Sequence, residues 1–89
     1  MENTAQLVDK LTVSIEIPSW ITPTKEEAKL IGKYSFEVDS NLDNAGRLEL
    51  LTNLILPKTE GFNKSLFFFG VYDDKGIYQF SLFNESTNQ

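Results

Sequence analysis

The sequence has no cysteine and no histidine, and only one arginine among its 89 residues. Without cysteine, a small domain has no disulfide to staple it, no thiolate for a soft metal and no thiol nucleophile. Without histidine, it lacks the commonest general base, the commonest transition-metal ligand and the side chain that ordinarily titrates near neutrality. A serine or threonine nucleophile would have to draw its base from lysine or a carboxylate, and no spacing in the chain points to such a pair. A non-catalytic protein is therefore expected, with carboxylate and lysine chemistry as the residual enzymatic route. Neither a cofactor nor a metal is expected.

Long apolar runs are missing too. No stretch approaches the ~20 residues that span a bilayer. Residues 1–10 have neither the basic start nor the apolar segment of a secretory signal. A cytoplasmic protein without a membrane partner is the expectation, which deprives Asn63-Lys64-Ser65 and Asn84-Glu85-Ser86 of meaning as glycosylation acceptors. Thirteen acidic residues against eight basic ones set the net charge at -5. Arg47 is the sole arginine, the side chain best suited to bidentate phosphate recognition, and the lysines are scattered along the chain. An acidic chain repels a polyanion, so nucleic acid is not an expected partner. The excess charge reads as a solubility device.

What the chain does have is aromatic bulk. Seven of its residues are Phe, which contribute buried area with no polar atom to satisfy. The length predicts one domain over residues 1–89, with residues 1–9 a loose arm and residues 85–89 a frayed tail. In residues 11–17, Leu11, Val13, Ile15 and Ile17 alternate with Thr12, Ser14 and Glu16, the period of a half-buried strand, and Pro18 ends it. A connector with Trp20 between Pro18 and Pro23 follows. Thr24-Lys25-Glu26-Glu27 then matches a capping box, predicting a short helix to Ile31 with Gly32 as its C-cap. The competing reading extends the next strand back to Ala28. Residues 33–39 form a second strand with Tyr34, Phe36 and Val38 facing the core. Residues 45–56 place Leu48, Leu50, Leu51, Leu54 and Ile55 on one side of a helical wheel, with Pro57 just past the end. Residues 58–64 are a loop. Residues 66–72 and 77–83 make a hairpin around Asp73-Asp74-Lys75-Gly76.

That order predicts an α+β fold: a small, mainly antiparallel four-stranded sheet with one principal helix and a short second helix. An all-β meander or small barrel is the alternative if both helical segments are strands.

Two local clusters suggest metal chemistry and then fail. Asp39-Ser40-Asn41-Leu42-Asp43 starts like a calcium loop, but Asn44 stands where the loop needs Gly and Leu50 where it needs Glu. Capping of the following helix explains Asp43 and Asn44 better. The Asp73-Asp74 pair is explained by the turn.

The hairpin carries the functional expectation. Leu66, Phe67, Phe68, Phe69 and Val71 are broken only by Gly70, so this strand is apolar on both faces. One face joins the core. The other, marked by Gln79 and Ser81, is half polar and half aromatic. Either the short helix, the Trp20 connector or the arm covers it, or it stays open and binds a partner. The candidate interaction surface is Trp20, Phe67, Phe69, Tyr72, Ile77, Gln79, Ser81 and Phe83. The expected function is a regulator, adaptor or inhibitor that acts by contact with another protein or with itself as a homodimer. The alternative is a small-ligand binding module with an aromatic-lined pocket.

Overall fold

The computed structural model describes residues 7–83. The alternation of Leu11, Val13 and Ile15 builds strand β1 (Val8–Glu16), which starts before the aliphatic pattern does. Val8 and Asp9 pair with Asp39 and Val38, and the Leu7 carbonyl accepts from the Ser40 amide at 3.1 Å. The expected arm is thus sheet from Val8 onward. Backbone pairing alone satisfies these amides, so polar residues can extend a strand that side-chain periodicity does not mark. The rest of the expected arm, residues 1–6, and the expected tail lie outside the described residues.

Helix α1 (Lys25–Leu30) forms where the capping box predicts it, not as an extension of the next strand. The Thr24 hydroxyl accepts from the Glu27 amide at 3.1 Å, and the Glu27 carboxylate accepts from the Thr24 amide at 2.8 Å. The helix stops one residue early. Ile31 is already extended at the C-cap, and Gly32 opens the next strand instead of capping the helix. Strand β2 (Gly32–Asp39) pairs antiparallel with β1, Leu11 opposite Phe36 and Val13 opposite Tyr34.

Asp39 then accepts from the Asn41 amide at 2.9 Å, and Asp43 caps helix α2 (Asn44–Thr59) by accepting from the Gly46 amide at 2.8 Å. The carboxylates of the partial calcium motif are thereby engaged in local turns. Helix α2 does not stop before Pro57 but continues for a further turn. Pro57 removes one helical bond, the one to the Asn53 carbonyl, and Asn53 is exposed, so that carbonyl can turn to water instead. Buried Thr59 secures that turn, its hydroxyl donating to the Leu56 carbonyl at 3.2 Å and reaching that of Ile55 at 3.4 Å. The buried stripe is Leu51, Ile55 and Thr59, narrower than the leucine pattern suggests; Leu48 and Leu54 remain substantially exposed.

A 3-10 turn (Lys64–Leu66) runs from the end of the expected loop into Leu66, the residue expected to begin the hairpin. The hairpin is strand β3 (Phe68–Tyr72) and strand β4 (Tyr78–Leu82), each shorter than the apolar pattern. The Asp73 carboxylate accepts from the Lys75 and Ile77 amides, both at 2.9 Å, and Gly76 supplies the positive φ of 82° that closes the turn. At the far end Phe83 adopts φ 55°, which breaks the strand. The sheet order is β2-β1-β3-β4, every neighbouring pair antiparallel, and the fold is α+β. Leu30 of α1 and Leu51 and Ile55 of α2 share one core with Leu11, Val13, Ile15, Val38, Phe69, Val71 and Leu82.

Candidate functional site

Residues directly opposite each other in an antiparallel sheet share a face. Val13 opposes Val71, Ile15 opposes Phe69, and Phe69 opposes Leu82, so these residues line the inner face under the helices. The opposite set belongs to the outer face: Thr12 opposes Tyr72, Ser14 opposes Gly70, Glu16 opposes Phe68, and Gly70 opposes Ser81. Between Phe80 and Tyr78 the register slips, leaving Gln79 as the extra residue of a bulge and returning Tyr78 to the outer face beside Tyr72.

The outer face therefore has two halves. On β1 and β2 it is polar, with Thr12 and Ser35 hydroxyls 3.2 Å apart and Ser14 donating to Glu16 at 3.0 Å. On β3 and β4 it is aromatic. Phe68 and Tyr78 stack with centroids 6.3 Å apart at 23°, and Tyr72 meets Tyr78 edge-on at 5.7 Å. Phe68 is 45% exposed and Tyr78 50%. Gly70 lies beneath, because a Cβ there would come within 2.8 Å of the Phe68 ring and 3.0 Å of the Tyr72 ring. Its lack of a side chain lets the two rings fold down over the strand. The Tyr78 and Ser81 hydroxyls are 2.6 Å apart. Neither helix lies over this face, since both contribute to the inner core.

The eight residues expected to form one surface are divided by this register. Tyr72 and Ser81 are on the outer face, and Ile77 is exposed at its turn end. Gln79 is in the bulge and donates to the Asp73 carboxylate at 3.3 Å and to the Ile77 carbonyl at 3.0 Å. Phe69, only 1% exposed, and Phe67 are buried, and Phe83 packs edge-on against Phe69 at 4.9 Å. These three rings belong to the core, because Phe69 faces Ile15 and Leu82 on the side the helices cover. Trp20 stands apart at 82% exposure, at the tip of a turn closed by the Ile21 amide donating to the Pro18 carbonyl at 3.0 Å. It neither covers the outer face nor fills the core. The residues that sequence reasoning missed are Phe68 and Tyr78. The signal was the even-numbered alternation of Phe68, Gly70 and Tyr72, which becomes readable once the β1 pairing is known.

A half-open cleft of about 680 Å³ lies beside this patch, lined by Phe62, Lys64, Phe67, Phe68, Phe69 and Phe83, among others. The Lys64 ammonium sits 5.6 Å from the centre of the Phe83 ring. Every carboxylate among the described residues is exposed or half-exposed, and no group of three or more could hold a metal ion there. Among the described residues, no helix is long and apolar enough to cross a membrane. No family model matches the chain, and no significantly similar curated protein or solved structure was found.

Proposed function

We propose that this chain is a cytoplasmic, non-catalytic regulator, adaptor or inhibitor that binds another protein through the outer face of its sheet. The observation that carries this reading is the stacked, half-exposed Phe68–Tyr78 pair on a face to which neither helix contributes. Aromatic side chains with little conformational freedom, ringed by polar groups, are the usual energetic centre of a protein interface. Here the polar groups beside the pair are Glu16 and Ser14 on β1 and Ser81 on β4, with Thr12 and Ser35 beyond them on β1 and β2. Occlusion of a partner's surface needs no catalytic group, in keeping with a chain that has no histidine or cysteine.

The test is a Phe68→Ser, Tyr78→Ser double variant with a native far-UV spectrum. It should lose the proteins that the unaltered chain retains in affinity purification from its host. Retention of the same set by the folded variant rules the face out.

The Phe-lined cleft supports a second reading, a module for a small apolar ligand. Its volume falls within the roughly 300–1,000 Å³ of ligand pockets. Saturable one-to-one binding of an apolar fluorescent probe to the native protein would support this reading. Failure of such probes to bind removes it.

A further inference from the structure

We propose that β4 pairs with β4 of a second copy of this chain, joining two four-stranded sheets into one of eight strands. The two edges of the sheet differ. β2 carries Lys33, Glu37 and Asp39, all exposed, and charges on an edge oppose the addition of a further strand. β4 reads Tyr78-Gln79-Phe80-Ser81-Leu82, with no charge and no proline. Among the described residues, no backbone hydrogen bond from outside the sheet reaches Tyr78–Leu82. Alternate amides and carbonyls of an edge strand point away from its neighbour, and an extended strand presents partners at the matching spacing.

A second copy fits this edge. The bulge at Gln79 is confined to the turn end, leaving Phe80, Ser81 and Leu82 in regular register. Two-fold pairing centred on Ser81 sets Phe80 against Leu82 of the second copy on the inner face, and Ser81 against its own equivalent on the outer face. No like charges meet. The ends of β4 also differ in sign. Asp73, Asp74 and Lys75 form the turn, with Asp73 level with Ile77, and Lys64 sits over Phe83 at the other end. The antiparallel arrangement turns the net-acidic end of each copy towards Lys64 of the other, whereas parallel pairing would set the acidic turns side by side.

The contact is short, three residue pairs with flanking aromatics, and so smaller than the roughly 1,200–2,000 Å² of a standard stable interface. A weak, concentration-dependent dimer follows. It places two Phe68–Tyr78 patches on one continuous outer face, so the docking surface proposed above is doubled. That consequence rests on the docking reading; the strand pairing does not.

Sedimentation equilibrium over a wide concentration range tests the pairing. The mass should climb from 10.1 kDa towards twice that value. Ser81→Lys and Ser81→Asp variants, each folded by circular dichroism, should each remain at the monomer mass, because like charges then meet at the two-fold axis. An equimolar mixture of the two should recover the dimer. A wild-type mass fixed at 10.1 kDa at every concentration overturns the proposal. So does growth past two copies, which means open-ended pairing of β4 with β2, or a Ser81→Lys variant that still dimerises. Phe68→Ser, on β3, separates the two ideas: it should abolish partner capture while leaving the dimer mass unchanged.

Discussion

Phe68 and Phe69 are identical side chains one residue apart, and the pleat of β3 sends them to opposite faces. Phe69 is enclosed by Phe67 at 6.0 Å, by Phe83 at 4.9 Å and by the aliphatic inner face. Truncation to alanine leaves a cavity and should cost about 3–5 kcal/mol. A chain of this length has a total stability of about 4–13 kcal/mol, so the variant loses much of it. Phe68 is half exposed and holds one stacked partner, Tyr78. Its truncation removes partial burial and one ring pair, and solvent fills the space, so about 1–2 kcal/mol is expected. For a domain of this size each kcal/mol lowers the melting temperature by roughly 4–8 °C, which separates the two variants clearly. Urea titration followed by far-UV circular dichroism is the assay, with an unchanged slope confirming that only stability moved. If Phe68→Ala destabilises the protein as much as Phe69→Ala, or more, the register described for β3 is wrong by one residue.

Gly70→Ala should disturb the aromatic patch without reaching the core. Its Cβ meets the exposed Phe68 ring and the half-buried Tyr72 ring, which can swing outward, so a loss near 1 kcal/mol and a changed near-UV circular dichroism spectrum are expected. A near-UV spectrum identical to wild type would show that the rings do not lie over Gly70. Arg47 donates to the Leu42 carbonyl at 2.9 Å and the Ser40 carbonyl at 3.3 Å and pairs with Asp9, tying the start of α2 to the turn before it and to β1. Arg47→Ala should lower stability by about 1.5–3 kcal/mol, and a urea midpoint unchanged from wild type counts against this clasp. Asp73→Ala removes the acceptor of two turn amides and should cost about 1–3 kcal/mol in the same assay; no change would mean the turn closes without it. Trp20 is so exposed that its emission maximum should barely move on unfolding, and a large red shift in urea would place it in the core.

The sequence by itself determined the local events. Alternation of Leu11, Val13 and Ile15 specified a strand, Thr24 and Glu27 specified a helix start, and Asp73 with Gly76 specified a turn, because each depends on residues within a few positions of one another. The missing histidine and cysteine likewise removed whole chemistries before any folding. Only the tertiary structure decided which aromatics face outward. Two apolar faces on β3 make both registers locally equivalent, and the choice came from β1, where Ile15 rather than Ser14 lies opposite Phe69. The bulge at Gln79 belongs to the same class, since it is a property of a strand pair and not of either strand. The late end of α2 does as well, for Pro57 is a local stop signal that the burial of Thr59 overrides.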